Sequence, residues 1–402
     1  QFAIRNSQFA IRNSQFAIHV EVYLVYARRT PFGRLQGSLM GRRVEDLMLP
    51  LVHDALRALQ PLSVDWAAAD MAAYVGVSNQ AGEDARNIAR QIAMLSPLPV
   101  DNLPAYTINA LCNSGIAALQ TAWQAIQTRH IEVAWVGAAE NMSRSPLVRH
   151  RLSGEEADTL IGWRFLHEQM PPQYAQSMLQ TAEQTAAKWG FSREEQDAYA
   201  LASRLRYQRA AEIGTFAQEL LPLPELATDE QARSFTAESL ARLPSIQKSG
   251  TVTLGNSARA GDGAALLLLA SADWCERHGA SPLLKLVAHS SAATAPQAMS
   301  EAAAVATRRL MQQQPQVDIE SMQACFVSES FATQPLVFLR QFPQLPTTLI
   351  NPYGGAISTG NPTAVGNLRL LCQAAHSAAN LRRILIATAS GLGLGAAIVC
   401  EK

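Results

Sequence analysis

The chain has 402 residues, with 33 Lys and Arg against 33 Asp and Glu, so its formal net charge is zero; 48% of it is hydrophobic and 16% charged. That balance excludes a disordered chain and offers nucleic acid no bulk electrostatic handle. No run reaches the roughly 18 apolar residues of a membrane span, and five scattered cysteines with no C-x-x-C pair or zinc spacing point to a reducing, cytoplasmic compartment with neither a disulfide framework nor a metal.

Residues 1–19 hold a perfect seven-residue repeat, QFAIRNS twice and then QFAI, with Gln1 where an initiator Met would stand. Fewer than three heptads do not sustain a coiled coil, so this stretch reads as a repetitive tail without a fold of its own. From Val20 strand and helix patterns alternate, the mark of an α/β architecture. Val20–Ala27 reads as a strand, Val44–Leu59 as a helix, Met71–Val77 as a strand, Ala85–Leu95 as a helix and Ala105–Ile108 as a short strand. Ser114–Thr128 carries Ile116, Leu119, Trp123 and Ile126 on one helical face, and Val133–Gly137 is a buried strand. A second series follows: strand Leu283–His289, helix Ser300–Gln313, strand Met322–Val327, helix Phe331–Phe342, extended Thr347–Ile350, helix Pro362–Ser377, and Ile384–Ala389 running into Gly391–Gly395. Both series keep the same order, and each has a reactive or polar residue just ahead of its third helix, Cys112 and Asn361. Two similar α/β halves, 20–276 and 277–402, are therefore expected. A mostly helical insertion of about 142–250 interrupts the first half; within it Ser192-Arg-Glu-Glu195 is a capping box opening a helix that ends near Gly214.

Asn109-Ala-Leu-Cys112-Asn-Ser-Gly115 leads from a strand into a helix. A thiol at a helix N-terminus feels the positive end of the macrodipole, which favours the thiolate, and a thiolate is a natural acceptor for an acyl group arriving from another thiol. The plainer alternative is a small buried residue at a tight turn.

Cys112-Asn-Ser-Gly115, followed by Val136-Gly-Ala-Ala-Glu-Asn-Met-Ser-Arg-Ser-Pro146, resembles the thiolase family. The likeness continues through Ser192-Arg-Glu-Glu-Gln-Asp197, Gly250-Thr-Val-Thr-Leu-Gly-Asn256, Glu329-Ser-Phe-Ala332, Asn351-Pro-Tyr-Gly-Gly-Ala356 and Gly360-Asn-Pro362. The resemblance implies a duplicated fold layered α-β-α-β-α, with an inserted loop domain that receives coenzyme A. It also implies a homodimer or homotetramer, no cofactor beyond the coenzyme A thioester as substrate, and acyl transfer through Cys112. Substrate contacts are expected at Ser257, Ala258, Phe331 and Gly391.

Departures from the family pattern concentrate on the reactive positions. The asparagine that holds an oxyanion-hole water aligns with Ser328, and the histidine that activates the nucleophile aligns with Asn361. The second cysteine, the acid/base of condensation, aligns with Ala389, whose neighbour Ser390 is the nearest hydroxyl. The coenzyme-binding serine is displaced within Gly255-Asn-Ser-Ala-Arg259. Asn361 can donate a hydrogen bond to a thioester carbonyl but cannot take a proton from Cys112; equally, Asn361-Pro362 suits a purely structural helix cap. His150, Arg164 and His167 are weaker candidates for coenzyme phosphates. Three readings follow: an acyl-CoA C-acyltransferase using Cys112 with altered acid/base machinery, supported by Asn361, Ser328 and Ser390; a non-catalytic protein of this fold binding acyl-CoA or a partner; and a decarboxylating condensing enzyme of the ketosynthase III type, suggested by Gly360-Asn361-Pro362-Thr363.

Overall fold

A computed structural model of the chain describes residues 20–159 and 167–402; the repetitive tail and Arg164 lie outside the described residues. Strand β1 (Val22–Arg29) is followed by helix α1 (Val44–Leu59), β2 (Met71–Gly76), α2 (Ile88–Leu95), β3 (Ala105–Ile108), α3 (Ser114–Gln127) and β4 (Val133–Asn141). The insertion contributes a small hairpin, Leu147–Arg149 with Glu156–Asp158, and helices α4 (Met178–Trp189) and α5 (Arg193–Glu212), before β5 (Gly261–Ser271) completes the half. The second half runs β6 (Leu284–Ala293), α6 (Ala302–Gln313), β7 (Ala324–Val327), α7 (Thr333–Gln341), α8 (Arg369–Ala375), β8 (Arg383–Ser390) and β9 (Leu394–Glu401).

Pairing repeats between the halves. The first half has the spatial order β3-β2-β4-β5-β1, parallel among β3, β2 and β4 and antiparallel beyond. The second has β7-β8-β9-β6 with the same senses, and a single parallel bridge from Cys325 to Ile350 stands where β3 stands in the first. Three residues of β1, Val22–Leu24, also pair antiparallel with β6 and join the two sheets. One apolar cluster packs α1 and α2 on the outer face of the first sheet. A second packs α6 and α7 on the outer face of the other. The largest lies between the sheets and holds Ile116, Leu119, Trp123 and Ile126 of α3 with Leu370 and Leu371 of α8. These are the five expected layers.

Two elements differ from the sequence reading. Thr347–Leu349 is a 3-10 turn after Pro346, so only Ile350 bridges the sheet. Pro362–Ser377 is regular helix only from Arg369, because the first central helix intrudes: the Gly115 N–H takes the Ala364 carbonyl at 3.3 Å. In α5, Ser192 caps the Glu195 N–H as expected (3.2 Å), but the Glu195 carboxylate turns to Arg340 (3.2 Å) instead of closing the box.

Three buried carboxylates fasten the insertion. Asp229 receives both ends of the Arg29 guanidinium (2.7 and 2.9 Å), the Tyr207 hydroxyl (2.9 Å) and the Phe32 N–H (2.8 Å), while Glu219 takes Arg29 Nε at 2.5 Å. Glu329, at the end of β7, accepts from Tyr199 and Ser203 of α5 and from the Ile357 N–H. The insertion is thus clamped to both halves, and its α4 is held beside the mouth of the site.

Burial opposes the Asp229 charge, but Arg29 overrides it and holds the carboxyl below its ordinary range. Stability from this group is therefore present above roughly pH 4 and lost as pH falls through the depressed value. Asp229→Ala leaves half of a buried guanidinium unpaired and should cost about 3–5 kcal/mol; urea unfolding at neutral pH checks it, and Asp229→Asn should flatten the acid limb of the stability curve.

Candidate active site

Cys112 sits in a 3-10 turn, Leu111–Asn113, that feeds directly into α3. The turn is built locally. Asn109 Oδ1 accepts from the Leu111 N–H (3.0 Å), and the Ser114 hydroxyl accepts from the Ala110 N–H (3.0 Å) and donates to the Leu111 carbonyl (2.6 Å). Gly115 then permits the close crossing of the central segments: a Cβ there would lie 2.7 Å from Leu368 Cβ and 3.0 Å from the Ala364 carbonyl oxygen. This crossing brings the start of α3 against the segment that follows Asn361.

Cys112 is 9% exposed and opens onto a cavity of about 560 Å³. The cavity is bordered by the loop after β2, the insertion at Tyr174 and Met178, Ala258 and Ala260, Phe331, Asn361, and the Gly391-Leu392 turn. Burial pushes the Cys112 thiol up; the Gly391 N–H, the Ser390 hydroxyl and the residue's own N–H act the other way, and Glu140 adds to the rise. Burial wins, so most of the sulfur is protonated at neutral pH.

Of the expected residues, Cys112, Asn361, Ala258, Phe331 and Gly391 line the cavity. Ser390 is fully buried beneath it, beside the sulfur, and donates to the Ala110 carbonyl at 2.9 Å. Two expectations need correction. Ser257 turns inward and donates to the Thr253 carbonyl (2.6 Å), because the chain pairs with Phe331 there and alternate residues face opposite ways; Ala258 faces the cavity instead. Ser328 is also off the cavity, accepting from the Ala389 N–H (2.7 Å) and donating to Asn367 Oδ1 (3.0 Å). Asn361 is no helix cap: among the described residues its side chain has no hydrogen-bond partner, and its Oδ1 fills the space beside Gly366, where a Cβ would approach to 1.9 Å. His150 and His167 lie outside the cavity lining, on the exposed insertion.

Sequence reasoning passed over three features. Asn367 donates to Asn113 Oδ1 (2.7 Å) and to the Ala389 carbonyl (3.1 Å), so with Ser328 it links the heads of both central segments to the end of β8. Glu140, 1% exposed at the end of β4, lines the cavity and accepts from the Ser78 N–H and hydroxyl, the Asn79 N–H (3.1 Å) and the Ala364 N–H (3.2 Å). Burial raises its carboxyl against those donors. Its neighbour Asp84, buried with Oδ1 unbonded among the described residues, is pushed up to about 7 by burial and then by Glu140, Glu83 and Glu45. Glu140 lies inside a quoted motif, but its spacing carries no signal of charge near the thiol. The third feature is backbone: Leu111 (φ 54°) and Leu392 (φ 65°), both lining the cavity, hold left-handed conformations that cost a non-glycine residue about 1–2 kcal/mol each.

Residues 22–273 match the family described as "Thiolase, N-terminal domain" and residues 280–402 match "Thiolase, C-terminal domain". Beta-ketoadipyl-CoA thiolase of Pseudomonas aeruginosa is 38% identical over 95% of this chain and 99% of its own. The 3-oxoadipyl-CoA/3-oxo-5,6-dehydrosuberyl-CoA thiolase of Escherichia coli is 35% identical at the same coverage. Among solved structures, human mitochondrial 3-ketoacyl-CoA thiolase in complex with CoA superposes with a TM-score of 0.86 at 29% identity, covering 96% of this chain and 99% of that one. Bacillus anthracis acetyl-CoA acetyltransferase gives 0.87 at 28%, with the same coverage.

Replacing the Glu140 charge by an isosteric amide should make the thiolate easier to form. Glu140→Gln is expected to move the pH profile of Cys112 alkylation by iodoacetamide to lower pH and to speed alkylation at pH 7 several-fold; an unmoved profile would show that the carboxylate acts on structure alone.

Proposed function

The chain belongs to the thiolase family, a family of acyl-CoA C-acyltransferases, and from that premise we propose that it takes an acyl group from an acyl-CoA onto Cys112 and lacks the acid/base pair that makes the onward condensation fast. The observation that carries this reading is that Cys112 lines one cavity together with Asn361 and the Gly391-Leu392 turn.

The first half-reaction needs only what the chain has. The minor thiolate of Cys112 attacks the thioester carbonyl; a new C–S bond forms, the bond to the coenzyme sulfur breaks, and the cysteine proton ends on the departing coenzyme thiol. Backbone N–H groups at the turn and the Asn361 amide supply hydrogen-bond donors to the developing oxyanion. Sulfur tolerates the missing base better than oxygen does, because even a small fraction of thiolate is a strong nucleophile. The second half-reaction is where the sequence departs. Ala389 carries no proton, and Ser390 is bound to the Ala110 carbonyl. Loss of a general base slows such a step by about 10²–10⁴.

Ser328 in this reading acts through the backbone it fixes at Ala389 rather than on substrate. The family ranges support a division into units of about 20–276 and 277–402. A second copy of the chain is the proposed partner, as a homodimer or homotetramer: β3 is a sheet edge, and Tyr106 on it and Met94 and Leu95 beside it are exposed large hydrophobics. A cytoplasmic setting fits five buried free cysteines, and no helix among the described residues is long and apolar enough to cross a membrane.

Intact-protein mass spectrometry after mixing with acyl-CoA should show one acyl adduct that persists and disappears in Cys112→Ala; no adduct on any acyl-CoA would sink the proposal. Restoring the missing groups in the double variant Asn361→His, Ala389→Cys should raise turnover in the condensation assay by at least about 10².

A further inference from the structure

Two leucines hold left-handed backbone on either side of the nucleophile. Leu111 directly precedes Cys112, and Leu392 directly follows Gly391, whose N–H faces the sulfur. Only glycine adopts this conformation without penalty, yet both positions carry leucine. Such strain persists when the surroundings over-determine it, and it clusters at functional sites.

The placement of the side chains says what the strain accomplishes. Leu392 lines the cavity and is 39% exposed, a large apolar side chain left open to solvent at the site. At the preceding residue, a Cβ on Gly391 would lie 3.2 Å from Leu111 Cδ1 and 3.4 Å from Met178 Sδ, so those two side chains close tightly on the glycine. Phe331 and Met142 belong to the same lining. An acyl group bonded to the Cys112 sulfur would lie within this apolar wall, with Leu392 as its open side.

We infer that Leu392, on the turn against which Leu111 and Met178 close, is a specificity-determining residue that selects apolar acyl chains of several carbons over acetyl by being covered when the chain is on Cys112. This rests on the acylation proposed above. It concerns the acyl group alone and asks nothing of the second half-reaction.

The test is the rate of Cys112 acylation, followed by rapid-quench intact mass, with acetyl-, butanoyl- and hexanoyl-CoA. Wild type, Leu392→Ala and Leu392→Gly are compared. In wild type the hexanoyl-to-acetyl rate ratio should exceed that of either variant by roughly 10-fold, the discrimination one or two methylenes achieve in an apolar pocket. Leu392→Gly should also melt above Leu392→Ala, since only glycine relieves the left-handed strain. Acylation with the same chain-length ratio in all three proteins overturns the role of Leu392 and leaves the acylation reading standing. Absence of any adduct in wild type overturns both.

Discussion

The active site depends on one close approach. The two central segments cross at Gly115, where backbone meets backbone and a single methyl group would collide with Leu368, Ala138 and the Ala364 carbonyl. The crossing takes the Ala364 carbonyl out of its own helix and gives it to the Gly115 N–H. It is also what brings residues 112 and 361, about 250 positions apart, to the same cavity. Everything nearby is arranged to hold it: Asn367 bonds to Asn113 across the crossing, Ser328 bonds to Asn367, and Glu140 ties the Ala364 N–H to the loop after β2. Side-chain hydrogen bonds of this kind contribute about 1 kcal/mol each when satisfied and cost more when one partner is removed, so the network fixes position more than it adds stability.

Charge around the sulfur is set by competition. Three nearby donors favour the thiolate; burial opposes it and wins, and the Glu140 carboxylate adds to the rise. A thiol held this way is slow to react with water-borne electrophiles and must rely on a substrate that brings its carbonyl against the turn. The helix terminus alone is worth about 0.3–1 kcal/mol in ordinary settings, less than the opposition it meets. Geometry, rather than a matched base, is what this site has kept.

Much of this was legible in the sequence. The alternation of periods, the repeat of element order and the placing of Cys112 and Asn361 ahead of central segments all follow from local pattern, and the observed pairing repeats for four strands of each half. Extended backbone at Thr347–Ile350 was misread because β-branched residues dominate it, whereas Pro346 starts a turn. Helix over Pro362–Ser377 was overextended because the intruding N–H of Gly115 is 250 residues away. Ser257 and Ser328 were placed in the cavity from motif position alone, and strand alternation and a single hydrogen bond decide otherwise. The Glu140 charge and the two left-handed leucines had no sequence signal, since both are properties of three-dimensional neighbourhood.

The first strand has a consequence for synthesis. β1 lies between β5 and β6, with Val22 opposite Ser271 and Leu286, and its last residue, Arg29, finds its carboxylates 190 and 200 residues downstream. At about 5–20 residues per second, a ribosome spends on the order of 12–50 s making those partners. Through that interval an apolar strand with unpaired N–H and C=O groups waits outside the tunnel, a ready template for pairing with another chain. The first half closes only once β5, its last strand, has been made, and the join between the halves waits longer still, for β6. The strand that starts the fold is among the last to be locked into it.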